Sequence, residues 1–253
     1  HIDNFLKYHK GFDAIIHFAA HKAVGESVQN PLMYYQNNLT GLINILVCAQ
    51  KYNINNFIFS SSATVYGNPE ALPISEKNKT QRPSSPYGNS KKVAEEIIED
   101  LATASKDFST ISLRYFNPIG AHKSGLIGEL PTGIPNNLMP YITQTAIGLR
   151  EKLMVYGNDY PTKDGTPIRD FVYGDDVASA ILKMVRDEIN DIVNFGSGEN
   201  ITIKSMIESL VKISGKELKI NWDASKPNGD MKRQMDITKQ KKYDLLPETP
   251  FID

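Results

Sequence analysis

Through the first half of the chain, short apolar runs alternate with stretches of helical periodicity, a pattern that predicts strands and helices in turn. Ala14-Ile15-Ile16-His17-Phe18 reads as a short buried strand of the kind found in parallel sheets. From Pro31 to Tyr52, Leu39, Leu42, Ile43, Leu46 and Ala49 recur at the spacing of one helix face. Asn53-Ile54-Asn55-Asn56 then turns the chain into the run Asn56-Phe57-Ile58-Phe59, a second strand with Ser60, Ser61 and Ser62 at its carboxyl end. The polar segment from Asn68 to Pro86 carries Pro69, Pro73, Pro83 and Pro86 and predicts a surface excursion. Helical spacing resumes from Tyr87 to Ser105, with Val93, Ala94, Ile97, Ile98 and Leu101 on the apolar face, and Thr110-Ile111-Ser112-Leu113-Arg114 is the next strand.

The second half has a different texture. His122 to Pro140 is rich in Gly and Pro, and Leu153-Met154-Val155-Tyr156 reads as a strand of a smaller lobe. Val172-Tyr173-Gly174-Asp175-Asp176-Val177 opens a helix that runs to about Asp187; Ile192 to Gly198 reads as strand and turn. Ile203 to Ile213 is an amphipathic helix, and Asp236 begins a short one on which Lys239-Gln240-Lys241-Lys242 form a solvated face. The expected class is α/β.

Composition adds bounds to this picture. With 253 residues, 40% apolar and 23% charged, the chain can bury a substantial core. A formal charge of −1 offers no broad attraction to nucleic acid or anionic membrane. The single cysteine, Cys48, sits among Leu46, Val47 and Ala49 and reads as a small buried apolar residue, which suits a cytoplasmic location. No apolar run is long enough to span a bilayer, and no signal-like start is present.

Candidate chemistry concentrates between Ser60 and Lys91. Tyr87 and Lys91 are four apart, so on a helix both side chains leave the same face one turn from each other. A free tyrosine titrates near pKa ~10, and a fixed positive charge beside it stabilises the phenolate, allowing it to act as a base near neutral pH. Ser62 would pass a proton between Tyr87 and a substrate hydroxyl, and its position at the carboxyl end of a strand is where open α/β sheets build their sites. The plain alternative is chance, since Tyr-x-x-x-Lys is a common helical spacing. His17 and His21 straddle a strand end without matching acids, so no metal site is expected. Gly196-Ser197-Gly198 is too short a signal for a phosphate loop.

SSSATVYG, PYGNSK, RYFNPIGAH and IPNNLMPY, in this order and spacing, resemble the UDP-glucose 4-epimerase branch of the extended short-chain dehydrogenase/reductase family. The resemblance is densest from Asp13 to Asp170; beyond that the text is closer to nucleotide-sugar epimerases and reductases at large. It implies a partial Rossmann-type parallel sheet with flanking helices plus a small C-terminal substrate-binding lobe. Residues 1–117 would form an incomplete NAD-binding domain and 118–253 mainly the substrate lobe, with 172–196 returning to the sheet. A dinucleotide-binding fold opens on a strand, a Gly-rich turn over the pyrophosphate and, ~20 residues later, an acid for the ribose. The sequence contains none of these, so the chain is expected to lack the first half of that domain, and it also stops where the family continues with another helix.

By the same resemblance, NAD is the cofactor and a UDP-sugar the substrate, with Ser62, Tyr87 and Lys91 catalytic. Phe18, Ala19, Lys22, Asn37, Ser60, Tyr115 and Phe116, together with Tyr87 and Lys91, would line the cofactor. Asn117, Asn137, Leu138, Tyr156 and Arg169, together with Ser62, would hold the substrate. Without the resemblance, Lys22 reads as a solvated lysine and Arg169 as the salt-bridge partner of Asp170. Where the branch has an arginine that grips the diphosphate, this chain has Pro227, with Lys226 and Arg233 nearby, although a lysine does not replace a bidentate fork. The helices from Pro31 and Tyr87 would pack on a second copy, implying a homodimer.

Three alternatives stand beside a 4-epimerase. A 4,6-dehydratase needs an acid pair directly after the serine, where this chain has Ala63 and Thr64, and neither can protonate a leaving hydroxyl. Another NAD-dependent nucleotide-sugar epimerase or reductase shares the Tyr-Lys pair. A non-catalytic fragment that only binds a nucleotide sugar is favoured by the missing Gly-rich turn and disfavoured by the intact Ser62, Tyr87 and Lys91.

Overall fold

The structure is a computed structural model and describes residues 1–115, 117–131, 133–135, 137–225 and 231–251. Phe116, Lys226 and Pro227, all singled out above, lie outside the described residues. Along the chain the elements are α1 (Ile2–Tyr8), β1 (Ala14–His17), α2 (Val24–Gln29), α3 (Pro31–Tyr35), a π-helical stretch (Gln36–Thr40) and α4 (Gly41–Lys51). There follow β2 (Asn56–Ser60), a 3₁₀ turn (Ala63–Tyr66), α5 (Pro86–Ala104), β3 (Ser109–Arg114), β4 (Asn117–Ile119), α6 (Leu138–Ala146) and β5 (Leu153–Tyr156). The remainder comprises β6 (Ile168–Arg169), β7 (Phe171–Tyr173), α7 (Gly174–Arg186), β8 (Asp191–Asn194), β9 (Ile201–Thr202), α8 (Ile203–Ser214), β10 (Ile220–Asp223) and α9 (Thr238–Lys242).

The chain divides into two compact units. The first comprises His1–Phe116, Ala178–Phe195 and Asp236–Leu245 and is built on one all-parallel sheet in the order β1-β2-β3-β8. Because helices cover parallel strands on their faces, the central strand β2 is apolar through its middle, where Phe57, Ile58 and Phe59 are buried. One layer of the core joins Phe57 and Phe59 to Leu42, Leu46 and Ala49 of α4 and to Ala94 and Ile98 of α5, with Phe108 beside them. Cys48 is a buried free thiol next to Leu6 and Ile54.

Four local expectations are corrected here. β1 is not fully buried: it lies at the sheet edge and Ile16 is 44% exposed. Ile43 does not join the core face of its helix; it and Val47, one turn on, stand 45% and 56% exposed. The polar loop before α5 is not merely a surface excursion, since Ile74 is fully buried and its carbonyl accepts from Asp236 N and Asn194 Nδ2 at 2.8 and 3.0 Å. The lysine run on α9 is not simply solvated: Gln240 is fully buried, and Lys239 Nζ reaches Asp191 Oδ1 at 2.7 Å. The last two follow from tertiary partners that lie far away in sequence.

The second unit comprises Asn117–Val177, Gly196–Met235 and Leu246–Asp253. Among the described residues its strands form three two-stranded pairs: β4 with β7 and β5 with β10, both parallel, and β6 with β9, antiparallel. Ile142 of α6, Leu153 and Val155 of β5, Phe171 of β7, and Met206 and Ile207 of α8 make its core. Thr202 caps α8 by accepting from Ser205 N, and Gly215 ends that helix in the left-handed conformation.

Candidate active site

In the first unit, the face of α5 and the carboxyl end of β2 are tied together residue by residue. α5 begins with Ser85 accepting from Gly88 N at 3.1 Å and with Pro86 in its first turn, a residue whose missing N–H costs nothing there. Gly88 is required by a close approach, because a Cβ on it would lie 2.7 Å from Pro83 Cβ and 3.2 Å from Thr64 Oγ1. That contact brings the first turn of α5 against the 3₁₀ turn that follows Ser62.

Ser62 hydrogen-bonds the phenol of Tyr87. Its Oγ accepts from Thr64 N at 3.2 Å and Thr64 Oγ1 at 3.0 Å, which occupies its lone pairs and directs its own hydrogen toward Tyr87. One turn along, the buried Lys91 ammonium donates to Ser60 O at 2.5 Å and lies 4.7 Å from the centre of the Phe59 ring. Ser60 Oγ in turn shares a 2.5 Å hydrogen bond with the hydroxyl of Tyr115. Ser60, Ser62, Tyr87, Lys91 and Tyr115 are therefore brought together.

The electrostatics differ from the expectation. Burial pushes the Tyr87 phenol up to about 12, opposed by the Ser62 hydrogen bond, so the phenol is not depressed in the chain itself. Burial draws Lys91 down to about 8, with Glu95 acting in the other direction. For both side chains desolvation is the dominant influence.

Phe18, Ala19 and Lys22 lie exposed on the segment after β1, and Asn37 is exposed on the π-helical stretch. Next to it, the buried Asn38 was missed by sequence reasoning. Its Oδ1 accepts from His21 N at 2.8 Å, and its Nδ2 donates to His21 O at 3.1 Å and to Ser90 Oγ at 3.0 Å. Ser90, between Tyr87 and Lys91, donates to Tyr87 O at 2.7 Å. The signal was faint: two adjacent asparagines in a helical stretch, placed by a π-turn of the kind that recurs at functional sites. Glu95, Ser61, Arg114 and Tyr66, which form a buried polar chain behind the serines, were also missed.

The expected substrate residues all belong to the second unit except Ser62. Asn117 on β4 donates to Asp170 O at 2.9 Å. Asn137, at the cap of α6, donates to Glu129 Oε1 at 2.7 Å, and Leu138 packs on the core of that unit. Tyr156 ends β5 with 58% exposure. Arg169 ends β6 and donates from Nη1 to Ile168 O at 2.8 Å, and Arg233 N approaches the same carbonyl at 3.3 Å. The Asp170 carboxylate accepts from Ser197 N, Ser197 Oγ and Gly198 N, so the Gly-Ser-Gly turn serves as its cage. His17 is buried, its ring 6.0 and 6.1 Å from those of Phe57 and Phe59. Among the described residues, no group of three or more His, Cys, Asp or Glu is arranged to hold a metal ion, and no helix is long and apolar enough to cross a membrane.

Residues 1–196 match the family model described as the NAD dependent epimerase/dehydratase family. The chain is 50% identical over 218 residues to the UDP-glucose 4-epimerase of Homo sapiens, covering 85% of this chain and 62% of that one. To the UDP-glucose 4-epimerase of Bacillus subtilis (strain 168) it is 48% identical over 223 residues, covering 87% and 65%. Among solved structures, the UDP-glucose 4-epimerase of Bifidobacterium longum in complex with NAD+ and UDP superposes with a TM-score of 0.92 at 38% identity, covering 100% of this chain and 76% of that one. The enzyme of Stenotrophomonas maltophila with bound NAD and formylated UDP-arabinopyranose gives 0.93 at 36%, with the same coverage. The chain thus spans less than two thirds of the length of the human and Bacillus relatives.

Proposed function

Because the chain belongs to the NAD dependent epimerase/dehydratase family, we propose that it carries the proton-transfer machinery of a UDP-glucose 4-epimerase and interconverts UDP-glucose and UDP-galactose at the sugar C4. The observation that carries this reading is the Ser62–Tyr87–Lys91 set, joined through the end of β2.

The residues present fit the nicotinamide-ribose end of NAD. Lys91 offers an ammonium with three donors, one of them given to Ser60 O, and the others suit ribose hydroxyls. Phe18, Ala19, Lys22, Asn37, Ser60 and Tyr115 would line the same group. When bound, NAD would accept a hydride from C4 and return it to the opposite face of a rotated 4-keto sugar, so that no net redox change results. The protein's part is to move the proton. Tyr87 takes it from the C4 hydroxyl, Ser62 relays it, and the charge of Lys91 stabilises the phenolate against the burial that disfavours it. With Lys91 drawn down only to about 8, the ammonium is mostly charged at neutral pH, as this role requires.

Asn117, Asn137, Leu138, Tyr156 and Arg169 would hold the UDP moiety. Arg169 contributes a planar fork suited to phosphate oxygens, and Arg233 beside it is the natural substitute for the arginine that Pro227 replaces. Epimerisation is favoured over dehydration because Ala63 is apolar and buried while Thr64 donates its hydroxyl to Ser62. Ile43 and Val47, exposed one turn apart on α4, support a homodimer packed through α4 and α5. The lone buried Cys48 supports a cytoplasmic location.

The test is to purify the 253-residue chain, record absorbance and fluorescence for bound NAD(H), and follow conversion of UDP-galactose to UDP-glucose. Absence of both binding and turnover would sink the reading. Net consumption of reducing equivalents would point instead to a reductase.

A further inference from the structure

Tyr87, Lys91 and Glu95 follow one another at four-residue spacing on α5, and each meets a different one of the three consecutive serines. Tyr87 meets the Ser62 hydroxyl, Lys91 the Ser60 carbonyl, and Glu95 Oε1 accepts from Ser61 Oγ at 2.5 Å. The first two contacts belong to the proposed chemistry. Glu95 is 6% exposed and touches no reacting position, yet it is the most heavily engaged of the three.

Its carboxylate also receives one edge of the Arg114 guanidinium, Nε to Oε1 at 2.9 Å and Nη2 to Oε2 at 2.5 Å. Arg114 extends the chain of contacts from Nη1 to the hydroxyl of Tyr66 at 2.8 Å, and Tyr66 donates to Asn194 Oδ1 at 2.7 Å. Since Ser60 pairs with Leu113, and Arg114 with Asn194, Glu95 connects α5 to the carboxyl ends of β2, β3 and β8 at once. Breaking a buried ion pair is costly, so such a brace holds its members in one arrangement.

Charge adds a second consequence. Lys91 and Arg114 are two buried cations against the single buried carboxylate of Glu95, leaving one positive charge for a phenolate at Tyr87 to neutralise. The titratable groups that act on Lys91 are Glu95 from α5 and His17 from β1.

We propose that Glu95 is a positioning residue, whose carboxylate fixes the serine turn through Ser61 and Arg114 and keeps the Lys91 ammonium charged beneath Tyr87. This rests on the catalytic reading of Ser62, Tyr87 and Lys91. Glu95→Gln preserves the shape of the side chain and removes its charge. In the 253-residue chain, NMR titration of the Lys91 side chain should find that the variant loses its proton at lower pH than the parent. A Glu95 that served folding alone would lower the melting temperature and leave that titration where it was, and an unshifted Lys91 overturns the proposal.

If the variant does not fold, Ser61→Ala leaves every charge paired. Loss of the hydrogen bond to the Glu95 carboxylate that fixes the serine turn should lower kcat about tenfold while leaving KM for the sugar nucleotide within about twofold. An unchanged kcat, or a loss confined to KM, overturns the proposal. A parent chain without turnover counts against the proposed function, and the Lys91 titration then still decides the role of Glu95.

Discussion

The Lys91 ammonium and the Ser60 carbonyl oxygen are 2.5 Å apart, a contact that joins α5 to the end of β2 inside the protein. It carries a thermodynamic signature. The folded Lys91 titrates at about 8 against its ordinary value of 10.5, because burial disfavours its charge. Below pH 8 both folded and unfolded chains are protonated there, and the penalty, about 3 kcal/mol for a shift of this size, is fully present. Between pH 8 and 10.5 the unfolded chain binds the proton and the folded chain does not, so stability rises with pH. Lys91→Met lacks this response. Urea unfolding of both proteins across that window should show the parent gaining about 3 kcal/mol relative to the variant. A pH-independent difference would mean that Lys91 is not desolvated.

Tyr87→Phe removes the proposed base and keeps the ring. Turnover should fall by about 10³ or more, within the range of lost acid–base catalysis, while thermal stability moves little. Ser62→Ala keeps the base and removes the relay, so its loss should be smaller than that of Tyr87→Phe. Steady-state kinetics of UDP-galactose conversion checks both, and a Tyr87→Phe chain that retains turnover would place the base elsewhere.

The parts of this site legible in the sequence are those whose partners are local. Tyr87 and Lys91 are one turn apart, and Ser62 follows an apolar strand, so spacing alone brings out the set. Glu95 shares the same spacing from Lys91, but nothing local says that its partner is Arg114 on β3, 19 residues on. Asn38 depends on a π-turn, a shift in helix register that no apolar pattern signals. Ile74 sits in a segment as polar and proline-rich as a surface loop, yet it is pinned by Asn194 and Asp236 from more than a hundred residues away. The core of the sheet was readable for the opposite reason: Phe57, Ile58 and Phe59 stand together as an unbroken apolar run.

His17 predicts an acid weakness. Burial between Phe57 and Phe59, helped by the charge of Lys91, draws it down to about 4 from 6.5. From pH 6.5 down to 4 the unfolded chain gains a proton that the folded chain refuses, so stability falls as the pH drops, by up to about 3 kcal/mol from this group. His17→Gln should remove that part of the slope. Denaturant midpoints at pH 4, 5 and 6.5 measure it, and equal slopes in the two proteins would show that His17 is freely hydrated.

On α4, Ile43 and Val47 stand exposed one turn apart. If a second copy covers them, Val47→Glu would bury a charge in an apolar contact and should shift the assembly from dimer to monomer. Sedimentation equilibrium reads this directly, and a parent chain that is monomeric at all concentrations removes the dimer from the proposal.

Gly196 predicts the most local effect. A Cβ there would stand 2.5 Å from Asp170 Oδ2, well inside ordinary contact. Asp170 cannot easily retreat, because it is 4% exposed and its carboxylate accepts from Ser197 N at 3.0 Å, Ser197 Oγ at 2.6 Å and Gly198 N at 3.2 Å. Moving it would leave those donors short of a partner or leave a buried carboxylate less well solvated by protein. Gly196→Ala should therefore cost about 1–3 kcal/mol, as overpacking at a rigid site does. Ser197→Ala, which removes one of three donors without a clash, should cost less. Thermal and urea unfolding order the two variants. A Gly196→Ala chain as stable as the parent would mean that the Asp170 cage yields, and that the glycine serves no close approach.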